Sequence, residues 1–119
     1  MASYKDLIVW QKSYSLTLLV YKASKNFPKE EIFGLTSQMR RCSVSVPSNI
    51  AEGNYRGSKK EQLQFLRIAF ASGAELETQL LLSKDLQYIH KEEYDIINSI
   101  LLEVMRMLNT LIKNVSSKV

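Results

Sequence analysis

The sequence contains very few of the residues that break, cross-link or activate a protein chain. Its 119 residues include four glycines, two prolines, one cysteine and one histidine. Because tight turns depend on glycine and proline, we expect few turns and long secondary-structure elements. The single cysteine, Cys42, excludes a disulfide within the chain and fits a reducing compartment. The single histidine, His90, excludes the paired Glu-x-x-His motifs that hold di-iron sites in helical bundles.

Long apolar runs are also missing. Lys, Gln and Ser interrupt the apolar residues of the N-terminal segment, which therefore does not resemble a secretory signal peptide. No segment approaches the roughly 18 consecutive apolar residues of a membrane span. We therefore expect a soluble, cytoplasmic protein with no membrane partner. The length predicts one domain, residues 1–119, and 45% hydrophobic residues are enough for a core.

Apolar residues instead recur at spacings of three and four in four segments, which indicates amphipathic helices. The segments cover about residues 4–26, 33–55, 59–86 and 91–115. Because the connections between them are short, the pattern predicts an all-α fold, an antiparallel up-and-down four-helix bundle.

Each predicted helix has one apolar stripe as its candidate core face, and the fourth stripe alternates strictly by three and four, as in a supercoiled bundle. The four stripes are Leu7, Trp10, Tyr14, Leu18 and Tyr21; Leu35, Met39, Cys42, Val46, Ile50 and Gly53; Gln62, Leu66, Ala69, Gly73, Leu76 and Leu80; and Tyr94, Ile97, Leu101, Val104, Leu108, Leu111 and Val115. Many aliphatic residues of the first and fourth helices lie outside these stripes. We therefore expect the chain to self-associate.

Two local signals concern the helix boundaries. Ser58 and Glu61 have the spacing of a capping box at the start of the third helix. Pro47 lies inside the second helix, where it predicts a kink, with Ser43 and Ser45 available to satisfy the freed backbone groups. The alternative is two shorter helices broken near Pro47.

The positive charge is concentrated in the middle of the chain. Residues 40–67 contain six basic and two acidic residues, which equals the whole net charge of +4. Such a surface attracts polyanions, nucleic acid above all, although a solvated basic face is the alternative. The candidate nucleic-acid-binding residues are Arg40, Arg41, Arg56, Lys59, Lys60 and Arg67.

Two features adjoin this basic segment. The glycine-bearing turn 53–57 precedes a helix N-terminus, where a phosphate could bind, and its Tyr55 could stack on a base. The turn lacks the P-loop pattern of nucleotide hydrolases. A ridge on the third helix begins basic and ends small, which suggests a ligand-facing half and an intersubunit half. Its members are Lys60, Gln64, Arg67, Ala71, Ala74 and Thr78.

The sequence contains no convincing combination of catalytic residues. A nucleophilic pair of Cys42 and His90 is conceivable, but Cys42 lies on a predicted core stripe, where a small buried cysteine is the commoner case. Glu75 and Glu77 point to different faces of one helix, and Glu77, at the edge of the core stripe, would need a basic partner. Zinc-ligand spacing is absent. We predict no enzymatic activity, no cofactor and no metal.

The segment Phe33–Gly53 resembles the bacterial four-helix bundle proteins known as 23S rRNA intervening-sequence proteins, and Val46–Gly53 is its most specific part. The similarity extends over nearly the whole chain, through the segments Tyr4–Leu7, Trp10–Lys12, Arg56–Ser58, Phe65–Ala69 and Gly73–Leu80.

The resemblance implies an up-and-down four-helix bundle assembled as a ring-like homopentamer. Some members are encoded within insertions of large-subunit ribosomal RNA genes. A related protein, the accessory variability protein of diversity-generating retroelements, is a basic pentamer that binds nucleic acid and associates with a reverse transcriptase. The family offers no catalytic residues to carry over, and Pro47, Asn49 and Glu52 are interpreted as structural.

Two hypotheses follow. The first is a homopentameric accessory protein that binds RNA or DNA through the six basic residues, with a reverse transcriptase or another protein as a further partner. The alternative is a protein–protein interaction scaffold that binds no nucleic acid.

Overall fold

A computed structural model describes residues 3–119, in which four α-helices pack together and no strand occurs. The helices are α1 (Ile8–Ser24), α2 (Leu35–Tyr55), α3 (Lys59–Asp85) and α4 (Lys91–Ser116). Two 3-10 helices add Tyr4–Asp6 before α1 and Lys29–Glu31 between α1 and α2. The all-α prediction is confirmed. None of the helices in the described range is both long and apolar enough to cross a bilayer.

Each helix packs against two others. Helix α2 packs closely against α1 and α3, and α4 packs against the same two helices, whereas no Cα atoms of the two diagonal pairs lie within 8 Å of each other in residues 3–119. The principal extents of 44 × 25 × 22 Å match helices lying side by side. The core consists of two clusters of buried side chains. The first contains Leu16, Val20, Ala23, Phe27, Met39, Leu76, Leu80, Ile89, Ile97 and Leu101, and the second contains Val9, Val46, Ile50, Leu63, Leu66, Ala69, Val104, Leu108 and Val115.

The apolar seam predicted for α4 is confirmed. Ile97, Leu101, Val104 and Leu108 are almost completely buried, with Leu101 in the first cluster and Val104 in the second. Because each buried aliphatic side chain contributes about 1.5–3 kcal/mol, this seam is a main source of stability. The stripes of α2 and α3 are confirmed at most positions, and the exceptions include Cys42 and Gln62, which are only half-buried.

The stripe predicted for α1 is wrong. Tyr14, Leu18 and Tyr21 are 50%, 58% and 38% exposed. The buried face of α1 consists instead of Val9, Ser13, Leu16, Val20, Ala23 and Ser24. Ser13 can lie in the core because its hydroxyl donates to the Trp10 carbonyl at 2.9 Å, so burial leaves no unsatisfied donor.

Helix α2 continues through Pro47, so the alternative of two shorter helices is wrong. Proline has no N–H, and the carbonyl of Ser43, four residues earlier, therefore lacks its helical donor. The Thr17 hydroxyl of α1 donates to that carbonyl at 2.8 Å. The prediction that Ser43 and Ser45 would satisfy the freed group is corrected, because the donor comes from the neighbouring helix.

Helices α2 and α3 are joined by a turn of only three residues and approach each other closely. A Cβ atom added at Gly53 would lie 3.1 Å from the Phe65 Cβ and 3.2 Å from the Gln62 carbonyl oxygen. The predicted N-cap of α3 is confirmed, since the Ser58 hydroxyl accepts the N–H of Glu61 at 3.1 Å. The same hydroxyl donates to the Glu61 carboxylate at 3.3 Å, whereas the capping box predicted a hydrogen bond from the Ser58 N–H to that carboxylate.

Helix α3 ends in a left-handed residue. Gln87 has φ of 65°, and the N–H groups of Gln87 and Tyr88 donate to the carbonyls of Lys84 and Ser83 at 2.9 and 2.8 Å. This is the hydrogen-bond pattern of a Schellman motif, in which glycine is preferred at the left-handed position. A side chain at this position therefore strains the backbone.

Candidate nucleic-acid interface

The six basic residues that are predicted to bind nucleic acid lie at separate places on the structure. Arg56, Lys59 and Lys60 surround the turn between α2 and α3, and Arg67 lies further along α3. Arg40 and Arg41 are near the other end of α2, about 22 Å from Arg56 at 1.5 Å per helical residue. The prediction of a single polyanion surface therefore divides into a turn group and an α2 pair.

In the turn group, Arg56 is largely engaged within the chain. Its guanidinium lies 3.4 Å from the Glu52 carboxylate and 3.9 Å from that of Glu61, and it stacks over the Phe65 ring at 4.7 Å. Lys59 and Lys60 are exposed, and neither forms an ion pair within residues 3–119. The free positive charge of this group is therefore on the two lysines, at the N-terminus of a long helix.

The ridge predicted on α3 is exposed along its whole length. Arg67 belongs to it and, in the part of the chain that the structure describes, also has no acidic partner. Lys60 and Arg67 are seven residues apart, which is about 10 Å along a helix. The basic half of the ridge thus continues the turn group along α3.

The two arginines of the α2 pair face opposite neighbours. Arg40 faces α1, where its Nε donates to the Ser24 hydroxyl at 2.8 Å and its guanidinium lies 4.8 Å from the Tyr21 ring centre. Arg41 is exposed on the other side of α2, beside a groove with α3 that also contains Glu75. These two side chains cannot contribute to the same surface.

The groove between α2 and α3, of about 300 Å³, contains the single cysteine. The Cys42 thiol donates to the Glu75 carboxylate at 3.6 Å, and the Gln79 amide donates to its sulfur at 3.5 Å. Burial raises the pKa of Cys42, the Gln79 hydrogen bond lowers it, and Glu75 raises it further, with a net increase. The thiol is therefore protonated at neutral pH, which makes it a poor nucleophile.

The other candidate catalytic residues are not assembled into a site. His90 is exposed at the N-cap of α4 and, among the described residues, forms no side-chain hydrogen bond with Cys42. Glu77 is exposed, not at the edge of the core as predicted, so it needs no buried partner. Within residues 3–119, no cluster of three His, Cys, Asp or Glu side chains is arranged to hold a metal ion.

Asn49 and Glu52, interpreted as structural from the sequence, both make local contacts. The Asn49 amide donates to the Ser45 carbonyl at 2.8 Å and to the Ser45 hydroxyl at 2.9 Å, and that hydroxyl bonds to Ser72 of α3 at 2.8 Å. Glu52 pairs with Arg56 one helical turn later. Asn49 thus supports the contact between α2 and α3, and Glu52 positions Arg56 at the end of α2.

The sequence interpretation missed a surface formed by aromatic rings. Tyr55, Tyr4, Trp10 and Tyr14 form a continuous chain of ring contacts, with centroid separations of 5.7, 5.2 and 5.2 Å in that order. The chain borders a cleft of about 360 Å³ between α1 and α2, and we call the rings and the cleft together the aromatic groove. The i, i+4 spacing of Trp10 and Tyr14 is the signal of this surface in the sequence, but the same spacing also fits the core stripe predicted for α1.

The charge is also unevenly distributed between the helices. Helices α1 and α2 contain four basic residues and one acidic residue, whereas α3 and α4 contain seven basic and eight acidic residues. Helices α1 and α2, which border the aromatic groove, therefore carry a net charge of +3, and α3 and α4 a net charge of −1.

Comparisons with known proteins identify a matching family and a similar solved structure. The sequence profile of the family described as 23S rRNA-intervening sequence protein matches residues 5–110. No curated protein matches the chain. The crystal structure of a protein with unknown function from the S23 ribosomal protein family of Bacteroides thetaiotaomicron superposes with a TM-score of 0.83 at 29% sequence identity. That alignment covers 92% of this chain and 98% of the other.

Proposed function

Because the chain belongs to the 23S rRNA-intervening sequence protein family, we propose that it is a non-catalytic accessory protein that binds nucleic acid. The observation that carries the proposal is that Lys59 and Lys60, at the N-terminus of α3, are exposed and form no ion pair within residues 3–119. A helix N-terminus favours phosphate through its free N–H groups and dipole, and adjacent lysines strengthen that attraction.

We further propose that the helices form an antiparallel up-and-down bundle and that five copies assemble into a ring. The contacts between α2 and α3 support the first point, since Gly53 is next to Gln62 whereas Met39 is next to Ser83. Exposed aliphatic side chains on α3 and α4 support self-association. They include Ile68, Leu81, Leu82, Ile96 and Leu102.

A ring would repeat each pair of lysines, so that a modest charge per chain sums through multivalency. Such binding is mainly electrostatic, and its affinity depends weakly on base sequence and falls steeply with salt. We infer a cytoplasmic location from the free thiol of Cys42.

The test is a titration with structured RNA and with duplex DNA at several salt concentrations. Replacing Arg56, Lys59 and Lys60 by Ala should weaken binding to all sequences and reduce the slope of log affinity against log salt. The matched control replaces Lys29, Lys84 and Lys91 by Ala, which removes the same charge at the opposite end of the molecule, where Phe27 packs on Tyr88. Equal loss in both triple variants would show that only net charge matters.

A second candidate function is a scaffold that binds another protein, such as a reverse transcriptase, and the exposed aliphatic residues of α3 and α4 favour it. This alternative becomes the better one if the wild-type protein binds neither RNA nor DNA at low salt.

A further inference from the structure

We propose that the aromatic groove between α1 and α2 stacks unpaired nucleobases, so that the preferred nucleic acid is single-stranded. This inference rests on the proposed function, because it specifies the class of nucleic acid that the protein binds. It rests on aromatic rings, whereas the proposed function rests on the lysines at the start of α3, and substitutions of the rings and of the lysines can therefore be tested separately.

The rings of the groove are accessible and held in place. Tyr55 and Tyr14, at the two ends of the chain of rings, are 76% and 50% exposed. The rings between them support one another, since Tyr4 meets Trp10 edge-on at 73° and Trp10 lies tilted by 31° against Tyr14. Because these rings are already ordered by mutual contact, stacking a base on them would cost little additional side-chain entropy.

The cleft beside the rings suits the flat apolar face of a base. Its walls include Leu18, Val44, Pro47 and Ala51, with the hydroxyls of Thr17 and Ser48 at hand. None of the described residues that line it is acidic. Every nucleobase has an apolar face, so a surface of this kind binds single strands with little sequence preference.

Basic residues flank the groove. Arg56, whose guanidinium pairs with Glu52 and Glu61, directly follows Tyr55 at one end of the groove, and Lys59 and Lys60 come three and four residues later. Arg40 lies over the Tyr21 ring further along α1 and α2. Helix α1 contains no acidic residue at all. Proteins that bind single strands stack the bases on aromatic rings and hold the phosphates near cations, and this groove has both kinds of residue.

The charge of α1 and α2 argues against a twofold contact through the groove. Such a contact would place two faces of net positive charge against each other, and opposing like charges are unfavourable across an interface. A head-to-tail contact, as in the proposed ring, would pair the groove with a different face, and the sedimentation mass of Tyr14→Ala tests it.

The groove contains its own reporter, because Trp10 is the only tryptophan of the chain. In a fluorescence titration, a 20-nucleotide oligo(dT) strand should quench the Trp10 emission. A duplex of the same length should bind more weakly and leave the emission unchanged. Equal affinity for both forms, with unchanged emission, would overturn the inference.

Substitutions of the groove tyrosines test whether oligo(dT) binds at the aromatic groove. Tyr14→Ala and Tyr55→Ala should each weaken oligo(dT) binding by about tenfold and leave duplex binding unaltered, whereas Tyr14→Phe and Tyr55→Phe, which keep the ring, should bind like the wild type. Phe33→Ala is the control, since this 94% exposed ring lies outside the groove. Circular dichroism confirms that each variant is folded.

The remaining outcomes separate this inference from the proposed function. If oligo(dT) and duplex bind equally well, and both depend on Lys59 and Lys60 but not on Tyr14 or Tyr55, this inference is wrong and the proposed function stands. A change of sedimentation mass in Tyr14→Ala would assign the groove to a second copy and likewise overturn it. Absence of any binding at low salt would overturn both.

Discussion

The contact between α1 and α2 is built differently from the contact between α3 and α4. Two side-chain hydrogen bonds join α1 to α2, from Thr17 to the Ser43 carbonyl and from Arg40 to Ser24. Within residues 3–119, no side-chain hydrogen bond joins α3 to α4. Met105 of α4 instead occupies the space that a side chain at Gly73 of α3 would need.

The two kinds of contact set the register of their helix pairs in different ways. Apolar contacts depend on the volume and spacing of side chains, so the pair of α3 and α4 is specified by its pattern of large and small residues. Hydrogen bonds require particular donors and acceptors at particular positions, so the pair of α1 and α2 is specified by a few polar atoms. The second kind of contact also leaves aromatic and aliphatic residues of α1 free to lie on the surface.

The largest expected effect comes from breaking the apolar contact. Leu101 is completely buried, and Leu101→Asp places a carboxylate in the core at a cost of several kcal/mol, so this variant should lose its cooperative thermal transition. Circular dichroism during heating measures it.

The neighbouring residue is the matched control. Leu102 is 44% exposed, and Leu102→Asp should keep the helical content and melting transition while reducing self-association in sedimentation experiments. A Leu101→Asp protein with the wild-type melting temperature would show that the α4 seam is not a main source of stability.

The core face of a helix is predictable from the sequence where apolar contacts hold the helix, and less so where hydrogen bonds do. The α4 seam could be predicted because large aliphatic residues fill it, and their spacing is visible in the sequence. The core face of α1 could not be predicted, since Ser13 and Ala23 are small or polar whereas Tyr14 and Leu18 are large and apolar. Periodicity ranks residues by hydrophobicity and cannot detect that a serine hydroxyl is satisfied by its own helix.

The candidate interface shows a related limit. The basic residues could be listed from the sequence, but their grouping depends on the direction in which each side chain points. Arg40 and Arg41 are adjacent in the chain and face different helices, and Arg56 is occupied by two glutamates. Likewise, Tyr4 and Tyr55 are far apart in sequence, and their contact becomes visible only in the fold.

A smaller effect should follow from weakening the polar contact. Thr17→Val removes the donor to the Ser43 carbonyl and should lower the free energy of unfolding by about 1–2 kcal/mol, measured by urea denaturation. Thr110→Val in α4 is the control, since that exposed hydroxyl bonds to Arg106 within its own helix and should matter little. Equal effects of the two substitutions would remove the contrast between the two helix pairs.

The smallest effect concerns the end of α3 and acts in the opposite direction. Gln87→Gly relieves the left-handed backbone at this position and should raise the free energy of unfolding by about 1 kcal/mol. Chemical denaturation measures the gain. Ser117→Gly, after α4 where φ is −68°, is the control that should bring no such gain. A loss of stability on Gln87→Gly would show that the side chain contributes more than the backbone strain removes.

The hydrogen bond from Thr17 to Ser43 has a consequence for the order of folding. The backbone of α2 is completed by a residue 26 positions earlier in the chain. A nascent α2 can form its local turns, but its proline leaves one carbonyl dependent on water until α1 has docked. The formation of one helix is therefore linked to the arrival of another, which makes the transition cooperative across a long sequence separation.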